Sequence, residues 1–528
     1  MSQSRRWALA LGAALPLVAG TVAAQEAGFV EIGRELDGRP TPTLDWHAQL
    51  RSRGELLHNL DLDRGLDSAG LALYPVPASS TQGQTLSHAD LRLRTDFALR
   101  TPRGGGGVVV RLDWLDHLAL GSAPDGPPSG AIGQRSPTQL ATLRRAYGLI
   151  ALPFGALALG RMSAHWGLGM VAHGGDGVDS NRGDASDRVA FVTPLAGHIW
   201  ALAYDWSATG PQAPRPDGVR TVDLDPADDV RSLTFAVLNI HAQVARDRRK
   251  RAGLTTVEYG AYVATRWQDK DAAPAWSSAV PPAQLRPADW MTRGLRVFAA
   301  DAWMRAAGPW GRVEGEATVV RGGYDQASLL PGVAIRDRVE VQQWGVALQS
   351  DLGDVRAGWS AGLDGGAASG DAAPGIGAFA SPAAGVGKPG AIRGSQVDLP
   401  RDRALTEMRM HPDFRIDRLL FSELVGAVVD AAYVRPHVRI VLPQFGAGAL
   451  YGELAVIRSW ALAKSSAPGQ QRSLGLEIDP TLSYTTVDGI TAQLQYALLL
   501  PQAGLDNPEA GLAAQPAQLV RLLLRWTL

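Results

Sequence analysis

Apolar and polar side chains alternate with a period of two along much of the chain. In the clearest run, residues 91–100, one parity is mostly apolar and the other mostly charged: Leu91, Leu93, Thr95, Phe97 and Leu99 against Arg92, Arg94, Asp96, Ala98 and Arg100. Such alternation is typical of a β-strand that is wet on one side only. Similar runs predict strands at residues 44–53, 108–114, 200–206, 254–267, 312–321, 474–484, 490–498 and 520–528.

The stretch at residues 144–169 indicates how these strands are connected. It reads RRAYGLIALPFGALALGRMSAHWGLG, and Pro153-Phe154-Gly155 separates two strand-like runs, as a tight hairpin turn does. A polar loop follows at residues 167–187, and residues 189–194 can return as the next strand. Short turn, strand and long polar loop recur, which is the plan of a transmembrane antiparallel β-barrel. We predict an all-β fold of about 18 strands, in a range of roughly 16–20, with short periplasmic turns and long external loops.

Three stretches depart from this regular pattern. Around Gln342-Gln343 the apolar parity changes, which one inserted residue, a β-bulge, would explain. Residues 364–403 are rich in Gly, Ala, Pro and Ser, and we predict a long external loop that is mobile or folded into the pore and is not part of the barrel wall. Residues 414–429 fit either a strand or a short amphipathic helix, and the pattern leaves both open.

The N-terminus carries the features of a secretory signal peptide at residues 1–24. Arg5 and Arg6 precede an apolar run, and small residues at 22–24 offer a cleavage site. Residues 25–43 show little pattern and are predicted to be a periplasmic leader, so residues 44–528 would form a single barrel domain. Beyond Gln25 we find no run of about 18 uncharged apolar residues, the length that a transmembrane helix needs.

Composition excludes several other classes of protein. The chain has no cysteine, so disulfide scaffolds, zinc–thiolate sites and cysteine nucleophiles are excluded. Its formal net charge is −1, which argues against a nucleic-acid-binding protein.

Three segments carry a resemblance to a known group of proteins. They are the hairpin at 144–169, the loop and return strand GDGVDSNRGDASDRVAFVTPL, and HPDFRIDRLLFSELVG followed by AAYVRPHV. In these the chain resembles porin-like outer-membrane proteins of Gram-negative bacteria and, more distantly, alginate-export-type porins. The resemblance implies an outer-membrane location, contact with membrane lipid, and passive diffusion of small polar or anionic solutes without a cofactor. One departure is the last residue, since porin chains commonly end in Phe and this one ends in Leu528.

Two kinds of chemistry compete with the channel interpretation. The acids of the polar loop, with Asp176 and Asp179 among them, suit Ca²⁺ in residue type, but their spacing differs from an EF-hand and a solvated loop is the simpler interpretation. A barrel hydrolase would need a nucleophile beside a base, and no Gly-x-Ser-x-Gly motif accompanies the candidate bases His165, His173, His198 and His437. We therefore predict no metal site and no enzyme. The alternatives are an outer-membrane hydrolase, an assembly or structural barrel, or a secreted β-sandwich adhesin; the solute and the oligomeric state stay open.

Closure of the barrel would bring the last strand beside the first. The wet faces of the first three strands and the last strand would then form one arginine-rich wall of the lumen, from Arg51, Arg53, Arg92, Arg94, Arg100, Arg111, Arg521 and Arg525. Acids on later strands would lie well around the circumference, at Glu258, Glu314, Glu316 and Glu340. Such an arrangement would set a transverse field across the pore. Equally, the arginines could pair locally with Asp96 and Asp113.

Overall fold

A computed structural model describes most of the chain beyond the N-terminal region. The described residues are 28–29, 32, 42–68, 70–78, 83–121, 141–177, 179–272, 284–327, 335, 337–375, 389–392, 402–443 and 446–528. The predicted signal peptide lies outside them and stays a prediction.

The chain forms a closed barrel of 18 antiparallel strands. Each strand pairs with the next, and β18 pairs with β1 to close the wall. The strands are β1 Thr43–His58, β2 Thr85–Arg100, β3 Gly106–Ala119, β4 Ala141–Leu152, β5 Gly155–Ser163, β6 Ala185–Leu195, β7 His198–Ala208, β8 Val230–Asn239, β9 Thr256–Asp271, β10 Met291–Gly308, β11 Gly311–Tyr324, β12 Val339–Asp354, β13 Trp359–Ala368, β14 Ala431–Val441, β15 Ala449–Ala461, β16 Ser473–Thr485, β17 Ile490–Pro501 and β18 Ala517–Thr527. The predicted fold class and strand number are confirmed.

The two ends of the barrel differ in the length of their connections. Residues 153–154, 196–197 and 309–310 make tight turns at one end, and the first is the turn that the sequence predicted. The other end carries the long connections 59–84, 164–184, 209–229 and 369–430. A helix α1, Gln243–Arg251, interrupts the short-turn end between β8 and β9. No helix among the described residues is long and apolar enough to cross a membrane.

The outward face of the wall is apolar in the way that the alternation predicted. Leu202 and Leu522 are each 48% exposed on it, while their inward neighbours Ala201, Ala203 and Leu523 are buried. Large apolar side chains that remain exposed around a closed barrel are typical of a surface that faces lipid.

The hydrophobic core lies inside the barrel. One cluster includes Met170, Met410, Phe421 and Leu519, which join residues of the long connections to the inward faces of the strands. A second cluster joins Trp166 to wall residues and to Phe29 and Ile32. Two residues of the predicted periplasmic leader are therefore buried within the barrel, and the wall begins at Thr43.

Two predictions about irregular stretches need correction, and the structure decides a third that the sequence left open. β11 and β12 pair without a register shift, so there is no bulge at Gln342-Gln343. The apolar parity changes because Val339 and Val341 point inward, where they are buried. Residues 364–368 belong to β13 and hence to the wall, so the loop begins later than predicted. Residues 414–429 contain one π-helical turn, Leu420–Leu424, and no barrel strand.

A candidate solute site in the barrel lumen

Two long connections fold into the lumen and meet there. The first inward loop, residues 164–184, contacts β1 and β2 through Ser180 and the far wall through Trp166, whose indole donates to Asp301 of β10 over 2.8 Å. The second inward loop is formed by the described residues between β13 and β14, which are 369–375, 389–392 and 402–430. Its Asp413 accepts hydrogen bonds from the backbone amides of Asn181 and Arg182 at 3.0 and 2.8 Å. The two loops thus narrow the barrel as one unit. The first leaves the wall at the long-loop end but folds into the lumen, and residues 185–187 of the predicted loop belong to β6.

Barrel closure places arginines of four adjacent strands side by side. Arg51 of β1 lies opposite Arg525 of β18 and Arg92 of β2, and Arg111 of β3 lies opposite Asp96 of β2. We call this inward surface of β18, β1, β2 and β3 the basic wall. Its arginines are those that the sequence predicted: Arg51, Arg53, Arg92, Arg94, Arg100, Arg111, Arg521 and Arg525.

The basic wall holds the first inward loop partly by backbone carbonyls. The carbonyl oxygen of Ser180 accepts from Arg51 Nη1 at 3.1 Å and from Arg92 Nη1 at 2.6 Å. Arg94 Nη1 donates to the carbonyl oxygen of Gly175 at 2.7 Å. Hydrogen bonds with a charged donor are stronger than neutral ones, so each contact fixes the loop against the wall.

Asp179 is the ionic centre of this contact. Its carboxylate accepts from Arg521 Nη1 at 2.8 Å, Arg415 Nη1 at 3.0 Å and Arg53 Nη1 at 3.1 Å. Burial alone would raise the pKa of Asp179, but the three guanidinium groups outweigh it and hold the pKa well below its usual range. Because Arg415 belongs to the second inward loop, one carboxylate joins both loops to the wall.

Asp176 has a similar role further along the loop. It accepts from Arg145 Nη2 at 2.8 and 3.0 Å and also pairs with Arg111. Burial opposes ionisation here too, yet Arg111 and Arg145 keep the pKa of the Asp176 carboxyl well below its usual range. The acids of this loop are therefore bound by arginines, so neither the solvated-loop nor the Ca²⁺ interpretation describes Asp176 and Asp179.

Local pairing with acids of the wall engages several of the predicted arginines. Arg94 forms a bidentate pair with Asp113 at 2.6 and 2.8 Å, and Arg111 pairs with Asp96. Arg100 similarly pairs with Asp45 near the short-turn end. These arginines thus face the interior, but their charge is largely compensated.

Arg92 is different because its guanidinium is incompletely paired. It is 1% exposed, and among the described residues no acceptor reaches its Nε or Nη2. The Nε of the neighbouring Arg51, which is fully buried, also lacks an acceptor within the described part of the chain. Buried donors without acceptors are costly. These guanidinium edges therefore carry N–H groups that an anion could satisfy.

The acids of the far wall occupy the opposite arc of the barrel. Glu258 of β9 and Glu314 and Glu316 of β11 are at most 2% exposed and face inward. They are engaged as well: Arg305 Nε donates to Glu258 at 2.8 Å, Arg312 Nη1 to Glu314 at 2.8 Å, and the Leu168 amide to Glu316 at 2.6 Å. The prediction that Glu340 lines the lumen is wrong. Glu340 lies on the exposed outward face of β12, the face that also carries Trp344.

The candidate catalytic bases are not arranged for hydrolysis. His165 and His173 accept backbone amides at Nδ1, His198 contacts the Tyr259 hydroxyl, and His437 contacts Asp351. Within the described residues, no serine hydroxyl is hydrogen-bonded to any of these rings. The geometry gives no support to a serine nucleophile beside a base.

Comparisons with known proteins find likeness only among solved structures. No family model and no curated protein sequence matches the chain. The chain is similar to the outer membrane protein OpdK from Pseudomonas aeruginosa, with a TM-score of 0.42 and 10% identity over 92% of this chain and 99% of that one. It is also similar to a BenF-like porin from Pseudomonas fluorescens Pf-5, with a TM-score of 0.46 and 9% identity over 92% and 98%, and to OprD from Pseudomonas aeruginosa, with 0.45 and 10% over 94% and 96%.

These similarities concern barrel architecture and carry no argument about solute or mechanism. The porin-like fold that the sequence predicted is confirmed by the closed barrel itself. The three matched proteins do not include an alginate-export porin, so that more distant resemblance gains no support.

A polar cavity of about 830 Å³ lies beside the first inward loop, towards β6 and the strands that follow. Arg188 and Asp205 on its wall form a bidentate pair at 2.8 and 2.7 Å. Phe29 covers part of it, with its ring 5.2 Å from the Arg188 guanidinium. Residues before the first strand therefore restrict the free space of the lumen.

Sequence patterns missed Asp413 and Arg415 of the second inward loop and Arg145 of β4, which complete the site. Asp413 and Arg415 lie in the HPDFR run, and Arg145 lies in the RRAYG run. Both runs contributed to the porin resemblance, which was the available indication that they matter. No periodicity could indicate that they meet at Asp176, Ser180 and Asp179, because loops obey no simple repeat.

Proposed function

We propose that the protein is an outer-membrane channel for passive diffusion of small polar or anionic solutes. The closed wall, its apolar outward band and a polar lumen narrowed by two loops support a channel. The observation that carries the preference for anions is the unpaired guanidinium edge of Arg92 beside Arg51. A guanidinium offers several donors in a planar fork that suits carboxylate and phosphate groups.

The lumen would select by charge and by width. In a low-dielectric wall, fixed cations raise the local concentration of anions, and weak, multiple contacts allow a solute to leave again. The residues proposed to line the path are the basic wall and, across the lumen, Glu258, Glu314 and Glu316. Most of these charges are compensated in ion pairs, that of Arg51 by Asp90 at 3.2 Å, which leaves Arg92 as the principal contact for an anion.

Replacing Arg92 with glutamine tests this proposal. We expect the anion-over-cation permeability ratio, measured from the reversal potential in a salt gradient across a planar bilayer, to fall at least about twofold, because an uncompensated charge near the path contributes on the order of a kcal/mol or more. Arg220→Gln is the matched control, since Arg220 lies in an exposed external hairpin and pairs with Asp217.

Two outcomes would count against the proposal. If Arg92→Gln folds and conducts with unchanged selectivity, Arg92 does not lie on the conducting path. If the wild-type barrel is folded, as judged by heat-modifiable gel mobility, and passes no current, it is not a channel under those conditions of voltage and salt, and a structural barrel becomes the better explanation.

The residues before β1 provide a second prediction. Phe29 and Ile32 are 7% and 3% exposed inside the barrel, and a Cβ on Gly28 would lie 2.5 Å from the His165 carbonyl oxygen. The double variant Phe29→Ala/Ile32→Ala should therefore raise the single-channel conductance by opening space beside the first inward loop. Phe154→Ala, at an exposed turn, should not change it. An unchanged conductance in the double variant would place the ion path elsewhere in the lumen.

A further inference from the structure

The external loop between β7 and β8 gathers carboxylates at the base of a small hairpin. The hairpin pairs Gln212–Pro214 with Thr221–Asp223, and the chain then runs through Asp225, Asp228 and Asp229 into β8. One carboxylate oxygen from each of Asp223, Asp228 and Asp229 lies within 4.8 Å of the other two. Three carboxylates at such short distances would repel one another strongly in the absence of a cation.

Two of these carboxylates are held away from solvent. Asp228 is 3% exposed and Asp229 is 7% exposed. The backbone of Gly210 packs directly on Asp228, since a Cβ built there would lie 2.1 Å from Oδ2. Surrounding water therefore does little to screen the repulsion between Asp228 and its neighbours.

The cationic partners of the loop do not balance its acids. Lys270 Nζ pairs with Asp225 at 2.7 Å, and Arg231 Nη2 pairs with Asp229 Oδ2 at 2.9 Å. Four acids thus face two bases, which leaves a local excess of two negative charges.

The hydrogen bonds leave two carboxylate oxygens without donors. Trp290 Nε1 donates to Asp228 Oδ2 at 2.8 Å, and Oδ2 of Asp229 is taken by the arginine. The Oδ1 atoms of Asp228 and Asp229 are fully covered, and no donor reaches either of them within the described residues. A buried anionic oxygen with no donor is costly unless it coordinates a cation.

We propose that Asp223, Asp228 and Asp229 bind a calcium ion. Ca²⁺ takes oxygen ligands at about 2.3–2.6 Å, so two ligands of one ion are at most roughly 4.6–5.2 Å apart, and three oxygens within 4.8 Å of one another can share one ion. A divalent ion also matches the excess charge. The half-buried Asp223 leaves a side open to solvent for water ligands.

Calcium would fasten the hairpin to the barrel wall. Asp223 pairs with Gln212 within the hairpin, whereas Asp228 and Asp229 directly precede β8. A shared ion would therefore hold the loop base closed and limit the motion of the exposed hairpin tip, which carries Arg215 and Arg220.

Terbium luminescence offers a direct test, because Trp290 touches the site and can transfer excitation to a bound Tb³⁺. The full mature chain is refolded in detergent without lipopolysaccharide, which itself binds divalent cations. We expect tryptophan-sensitised Tb³⁺ emission that Ca²⁺ displaces, and radioactive calcium binding that saturates near one ion per chain. Trp290→Phe should lose the emission and keep calcium binding.

Matched carboxamide variants assign the site. Asp228→Asn/Asp229→Asn should weaken calcium binding at least about tenfold, as loss of ligands or their supporting contacts does at metal sites. Asp223→Asn, a milder change at a half-buried position, should weaken it in the same direction. Asp217→Asn, at the exposed hairpin tip, should leave affinity unchanged. Heat-modifiable mobility confirms that each variant is folded.

Limited trypsin digestion reports the structural effect. Calcium should slow cleavage after Arg220 in the wild type and not in Asp228→Asn/Asp229→Asn; Arg215 is not a trypsin site because Pro216 follows it. The proposal is overturned if the folded wild type shows no calcium-displaceable Tb³⁺ emission and no bound calcium, or if the folded Asp228→Asn/Asp229→Asn variant binds calcium as the wild type does.

Discussion

Replacing Asp179 with asparagine should release the first inward loop from the basic wall. The carboxylate is the common acceptor of Arg53, Arg415 and Arg521, and all three lose their shared anion in the variant. Removing one partner of a buried ion pair costs about 3–5 kcal/mol when the other charge is left without compensation. The cost here should be smaller, because Arg53 keeps Asp90 and Arg521 keeps Glu55 and Glu423. The strands of the barrel wall keep their backbone hydrogen bonds. The lost free energy should therefore release the loop more than it unfolds the barrel.

Single-channel recording should detect this release in two ways. The Asp179→Asn variant should have a larger or more variable conductance and a higher anion-over-cation permeability ratio, since the variant carries three less-compensated guanidinium groups. Asp187→Asn is the matched control: Asp187 pairs with Arg161 at an exposed position, where an ion pair contributes about 0–1 kcal/mol. Unchanged conductance and selectivity in a folded Asp179→Asn barrel would mean that the first inward loop is held by its other contacts alone.

Replacing Leu522 with arginine should impair insertion of the barrel into a bilayer. Leu522 is 48% exposed in the middle of β18, on the face opposite the buried Arg521 and Leu523. An arginine on the lipid face near the bilayer midplane costs about 2–4 kcal/mol, and about 0–1 near the interface. We therefore expect Leu522→Arg to cause a large loss of stability. Leu44→Arg should cause a small one, because Leu44 lies at the short-turn end of β1.

Reversible urea unfolding from lipid vesicles can measure both changes. Leu522→Ala separates the effect of charge from that of lost side-chain volume. Equal stabilities for Leu522→Arg and Leu44→Arg would contradict the placement of Leu522 at membrane depth, and tolerance of both would contradict a lipid-facing surface altogether.

Alternation predicted the wall because a strand with one wet and one apolar face repeats every two residues. It indicated that Arg92 and Leu93 point to opposite faces, and closure then followed from the need to pair every edge. The same rule was wrong at Val339 and Glu340. It assumes that apolar means outward, whereas an inward side chain beneath a luminal loop is also apolar, as the fully buried Leu519 and Leu523 are.

The sequence by itself therefore determined a barrel of about 18 strands and its arginine-bearing inward face. Only the tertiary structure decided where the long loops go and which charges remain free. Asp179 and Arg521 are 342 positions apart, and Ser180 and Asp413 are 233 apart. Such pairs form because the lumen is a confined, low-dielectric space in which buried charges must find partners. Partner choice there depends on three-dimensional proximity, which no local pattern of residues contains.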